Sequence, residues 1–137
     1  MPVKDYDAFV TTVTQLRLNP PYQAAEAIRR RVGSAAMAAA APDSADLAAV
    51  LLLIGTWERI AILASSLSPA QRGRFFRCTP VKLMWDALLP AIDALGGAEK
   101  FAPQFEKLSD AYGKWLKLDD GKEFRSVERQ IVCAMFG

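Results

Sequence analysis

Two ionisable residues stand side by side inside the most apolar stretch of the chain. They are Glu58 and Arg59, in ADLAAVLLLIGTWERIAILASSL, residues Ala45 to Leu67. A carboxylate and a guanidinium beside Trp57 are the raw material of a polar pocket, in which the carboxyl group acts as acid, base or anchor. Adjacent residues on a helix point about 100° apart, so the two charges do not face each other. Each needs water or a partner from another element, because a buried unpaired charge is strongly destabilising. Asp86 or Asp93 are the acids expected to meet Arg59, and Arg29, Arg30 or Arg31 the bases expected to meet Glu58. The plain expectation is a solvated edge or structural ion pairs. The sharper one is a pocket that brings Trp57, Glu58, Arg59 and Trp85 together.

A second constellation is QRGRFFRC, Gln71 to Cys78, where Arg72, Arg74 and Arg77 alternate with Phe75 and Phe76. Arg72, Arg74, Arg77 and Lys82 are the only charged residues between Ile60 and Trp85. Arginines that hold phosphates beside an exposed ring that stacks on a base make a single-strand binder. An amphipathic helix, with the rings in the core and the arginines in water, explains the same pattern. A helix-turn-helix over Pro69–Leu89 fits less well. Its turn lacks glycine, and its second helix carries Val81, Leu83, Met84, Trp85 and Leu88 where base-reading polar groups belong.

The sequence also closes off chemistry. With no histidine among 137 residues, there is no Ser–His or Cys–His nucleophile pair and no imidazole base. Cys78 and Cys133 are too few to build a structural zinc site alone. DDGKE, Asp119 to Glu123, lacks the calcium-loop register and is read as a turn. No phosphate-binding glycine loop occurs, and no cofactor is expected. The net charge of +2 does not demand a nucleic-acid partner. MPVKDYDAF is not a secretory signal, so the thiols are expected reduced and the protein cytoplasmic.

The elements that must position these residues are helices throughout. Tyr6, Phe9, Val10, Val13 and Leu16 share one face of a first helix from Lys4 to Leu18, which NPP terminates. A second helix starts at Pro21 and meets a kink at Gly33–Ser34. The alanine tract beyond it is either a close-packed helix or a mobile connection. Asp43 and Ser44 open the apolar run, and Ser68-Pro69-Ala70-Gln71 is a capping box that starts a short helix. Thr79–Pro80 opens the next, with Pro90 inside it and Gly96–Gly97 closing it. Phe101, Phe105, Leu108, Tyr112 and Trp115 form a helical stripe with a start near Pro103. A last helix carries Phe124, Val127, Ile131, Val132 and Met135 inward.

These readings give an all-α, single-domain bundle of six or seven helices around a central apolar helix, spanning residues 1–137. A membrane span needs about 20 apolar residues. Here that length is reached only by including Thr56, Glu58, Arg59 and two serines, so a core helix is expected and no membrane span.

The residues TWERIAIL at Thr56–Leu63, the pattern Trp85, Leu88, Pro90 and Ile92, and Phe105 with Leu108 resemble an uncharacterised bacterial family of small helical domains of unknown function. That resemblance implies a helical fold and a bacterial context. The family has no assigned activity, so it supplies no catalytic residues.

The functional expectation is an interaction or regulatory domain, ranked ahead of an enzyme, that binds a protein partner or a second copy through a helix face or groove. Its candidate binding residues are Trp57, Glu58, Arg59, Arg72, Arg74, Arg77 and Trp85. The alternative is a nucleic-acid-binding regulator that uses the Arg72–Arg77 segment.

Overall fold

The computed structural model describes residues 6–118. The expected last helix and Cys133 lie outside them. Among the described residues there are eight helices and no strand, in one all-α bundle. Two of the eight are single-turn pieces that raise the number above the expected six or seven.

α1 (Tyr6–Leu18) buries Phe9 and Val13. α2 (Pro20–Val32) follows after a single residue, starting one position before the expected Pro21. A proline at the first helical position loses no intrahelical bond. The kink expected at Gly33 is a full break. Gly33 sits at φ +85°, a left-handed conformation that interrupts the helix and that glycine adopts without a Cβ penalty. The alanine tract contributes only α3 (Ser34–Ala38), which buries Met37. The Ser34 hydroxyl donates to the Ala87 carbonyl at 2.6 Å, so this piece is pinned to its neighbour rather than loose.

α4 (Ala45–Ala64) is the central helix and packs against α1, α2 and α3 as well as two later helices. Its start is set locally, with the Leu47 amide donating to the Ser44 hydroxyl at 3.2 Å. α4 is long and apolar enough to cross a membrane, with mean hydropathy 1.9, and 39% of the residues in that stretch are buried within the bundle.

α5 (Pro69–Cys78) opens with the full capping box. The Gln71 amide donates to the Ser68 hydroxyl at 3.2 Å, and the Ser68 amide donates to the Gln71 side chain at 3.0 Å. α6 (Val81–Leu95) accommodates Pro90 and ends at Gly96, φ +134°. Thr79 does not cap it. Pro80 occupies the capping position without a side-chain bond, while Thr79 is extended, buried and closes α5.

α7 (Ala98–Phe101) and α8 (Pro103–Trp115) complete the order. α8 turns Phe105, Leu108, Tyr112 and Trp115 inward as the stripe predicts, and Phe101 is half-buried in α7. Ring contacts tie the elements into two groups. Phe105 stacks on Trp57 at 5.5 Å and meets Trp85 edge-on at 5.0 Å. Phe9, Phe75, Phe76, Tyr112 and Trp115 form a second chain of contacts across α1, α5 and α8.

Candidate functional site

Glu58 meets none of the expected arginines. Its carboxylate reaches the first turn of α8 and accepts from the Gln104 and Phe105 amides, the latter at 3.0 Å. The reason lies in α8 itself. Its N-cap residue is Ala102, which has no side-chain acceptor, and the opening amides of a helix have no intrahelical partner. A carboxylate satisfies them and sits favourably at the positive end of the helix dipole. Charge-assisted bonds of this kind are worth about 1.5–3 kcal/mol. Glu58 is therefore a long-range cap that fixes α8 against α4.

Two of the three arginines named as partners for Glu58, Arg29 and Arg30, serve Glu26 instead. Arg29 pairs with it at 2.9 Å, and Arg30 lies at 3.9 Å. The hydrogen bonds that Arg29 donates to the Glu26 carboxylate are the main cause that pushes the Arg29 guanidinium pKa above its ordinary value. Arg59 reaches solvent beside Gln15 and Asn19 at the end of α1, and Asp86 pairs with Lys82 at 3.0 Å. Neighbours in sequence thus have unrelated environments, and the four-residue pocket does not form.

Trp57 is fully buried. Its indole N–H donates to the Tyr22 hydroxyl at 3.0 Å, and the Arg17 guanidinium lies 5.5 Å from its ring centre. Burial, then the nearby Glu26 charge, raises the Tyr22 phenol above its usual pKa, against the bond from Trp57. The Arg17 Nε is buried with no hydrogen-bond partner among the described residues. Attraction to the indole face partly offsets that loss. Trp85 is 8% exposed and packs on Phe105. Both tryptophans are core residues and offer no partner surface, contrary to expectation.

Arg72, Arg74 and Arg77 do lie at the surface, over two buried phenylalanines. Phe75 and Phe76 are 2% and 0% exposed, so neither presents a face to a base. Arg74 covers Tyr6 at 4.6 Å and Arg77 covers Trp115 at 5.7 Å. Arg72 turns into an open trough of about 480 Å³ between α5 and α8. Ala111, the exposed Leu118 and the edge of Trp115, which is 8% exposed, give this trough an apolar lining over the fully buried Phe76. Arg72, Lys107 and Lys114 supply positive charge along its walls, against one acid, Asp110. A smaller hollow of about 180 Å³, reaching the end of α4 at Ser65, shares Arg72, Lys107 and Ala111 with it.

Lys107, Asp110 and Lys114 are the lining residues that sequence reasoning missed. They stand on the outer side of the aromatic stripe, at spacings that place Lys107 and Lys114 along one flank of α8, with Leu118 just past its end. That flank was legible, but the closeness of α5 was not. Gly73 makes the approach possible, because a Cβ there would come within 3.3 Å of the Trp115 indole nitrogen. Among the described residues no group of three or more potential metal-binding side chains occurs.

Comparison of the chain with family models, with curated proteins and with solved structures gave no match.

Proposed function

We propose that the protein is a helical interaction domain whose working surface is the trough between α5 and α8. Its partner, on this reading, is an amphipathic helix with carboxylates bordering an apolar stripe. The observation that carries this is a trough lined by Ala111, Leu118 and the edge of the largely buried Trp115, flanked by Arg72, Lys107 and Lys114. An amphipathic helix docks by laying its apolar face in such a groove. Opposite charges along the walls select the partner and steer its approach. Tryptophan and arginine are also the residue types that most often dominate binding energy.

The test uses a fluorescein-labelled synthetic helix with leucine at i, i+3, i+4 and i+7 and glutamate elsewhere, read by anisotropy. Binding is expected to weaken with salt and to fall by at least ~10-fold in the Lys107→Glu/Lys114→Glu variant, a loss of about 1.4 kcal/mol or more. Both lysines are exposed, so the melting temperature of that variant should hardly change. A lysine-rich version of the helix that binds as tightly as the glutamate-rich one would refute the charge-selective groove. A mixed-sequence oligonucleotide that binds in its place would shift the reading to nucleic acid.

A further inference from the structure

The smaller hollow beside the trough differs from it in chemistry. One wall is the end of α4 at Ser65, and Arg72, Gln104 and Lys107 supply its polar side chains, with no acid among its lining residues. The helix ends around it are already satisfied. The last carbonyls of α4, from Ala61 to Ala64, accept hydrogen bonds from the Ser65, Ser66 and Leu67 amides. The start of α5 is closed by its capping box, and the opening amides of α8 are held by Glu58. The cations are therefore not needed as caps. The carbonyl end of α4 carries about half a negative charge, far less than the two positive charges facing it. Among the described residues, neither Arg72 nor Lys107 makes an ion pair or a side-chain hydrogen bond. Arg72 is also half-buried, and a guanidinium drawn out of water is stable only when its donors are answered.

We infer, resting on the groove reading above, that this hollow is a phosphoryl subsite for the partner helix. A phosphorylated serine or threonine of that helix enters between Arg72 and Lys107. The phosphoryl group brings about −1.5 to −2 charges and three acceptor oxygens, which answers both cations, whereas a carboxylate answers one. The guanidinium fork grips two of the oxygens, and the Lys107 ammonium and the Gln104 side-chain amide are the donors for the third. At about 180 Å³ the hollow is much smaller than the trough. Arg72, Lys107 and Ala111 line both, so a side chain from a helix lying in the trough reaches the subsite directly.

The experiment measures fluorescence anisotropy with the full chain at about pH 7.5, above the second phosphoryl pKa. The probes are the glutamate-rich helix and two versions of it, each with phosphoserine replacing the glutamate nearest one end. One of the two is expected to bind at least ~10-fold more tightly than the parent helix. Ser65→Glu puts a carboxylate on the wall of the hollow, at an exposed position outside the trough, and should abolish that preference. Lys114→Glu lies in the trough alone, and should weaken all three helices while keeping the preference.

If neither phosphorylated helix binds more tightly than the parent, the inference is overturned and the groove stands. A preference that survives Ser65→Glu also overturns it, by locating the phosphoryl group elsewhere. Failure of all three helices to bind rejects the groove, and with it a phosphoryl group borne by a partner. Inorganic phosphate is then titrated against the Arg72 and Gln104 side-chain NMR resonances. Shifts confined there would reassign the hollow to free phosphate, and their absence would remove the anion site altogether.

Discussion

The chain builds two tryptophan–arginine pairs and puts them to opposite ends. At Trp57 the ring is fully enclosed, Arg17 lies 5.5 Å from its centre, and Tyr22 takes the indole N–H. At Trp115 the geometry of the pair is nearly the same, with Arg77 at 5.7 Å, yet the edge of the ring lines an open trough. The difference comes from what surrounds each ring. Trp57 is on the central helix, between α2 and α8, and the rings of Tyr22 and Phe105 bear on it. Trp115 is in the last turn of α8, where the rings of Phe76 and Tyr112 bear on it and 8% of it stays exposed at the trough. A cation–π pair is therefore no sign of a binding site. Access decides, and access is a property of the packing.

The largest test of that contrast is the pair Trp57→Ala and Trp115→Ala. Removing a fully buried indole is expected to cost about 3–5 kcal/mol, a large share of the ~5–15 kcal/mol that holds a domain together. Trp115→Ala should cost less in chemical denaturation, and should weaken binding of the glutamate-rich helix. Equal losses of stability would show that Trp115 is as much a core residue as Trp57, and would break the comparison.

Glu58 gives the next effect. Glu58→Ala leaves the Gln104 and Phe105 amides without their acceptor, and is expected to cost about 2–3 kcal/mol. Glu58→Gln should lose less, since a neutral acceptor remains. Hydrogen exchange of the Gln104 and Phe105 amides reads this directly, and both should exchange faster in the alanine variant. Unchanged protection there would mean that α8 does not depend on this cap.

Tyr22→Phe deletes one acceptor and strands a buried indole N–H, at an expected cost of about 1–3 kcal/mol. It also carries a pH signature. The Tyr22 phenol is raised above its ordinary value near 10, so the fold favours its protonated form. That contribution is complete below pH 10 and is lost as the pH rises through the higher value of the folded state. Alkaline unfolding of the wild type should therefore include a Tyr22 component that the phenylalanine variant lacks. If the two proteins lose stability in parallel above pH 10, Tyr22 is not the group responsible.

The smallest effect is expected at Gly73. Gly73→Ala gains up to ~1 kcal/mol of helix propensity, and its new Cβ presses on the Trp115 indole at 3.3 Å. The two terms oppose each other. Stability should shift by less than ~1 kcal/mol, while the emission of Trp115 and the affinity of the trough change more clearly. A large stability loss would place Trp115 in a site too rigid to yield, closer in character to Trp57.

Much of this was legible in the residues, because helix signals act over three or four positions. The Ser68–Gln71 box, the break at Asn19-Pro20, the start at Pro103 and the stripe from Phe105 to Trp115 all appear where the pattern puts them. Local reading failed where one residue had two duties. Thr79 looks like the cap of α6 and instead ends α5. The site was less legible still. Arg72, Arg74 and Arg77 stand at the surface as an amphipathic helix requires, but Trp57 and Trp85 are ordinary core residues.

The sequence by itself determined an all-helical chain with a central apolar helix, and the lack of histidine ruled out imidazole chemistry. Local hydrogen bonding and apolar periodicity suffice for the first, and composition for the second. Only the tertiary structure decided that Glu58 caps a helix 46 residues away while Arg59, its neighbour, faces water. It alone brought Arg72 against Lys107 and Lys114. Such pairings depend on which helices pack together, and no rule that spans a few residues contains that information.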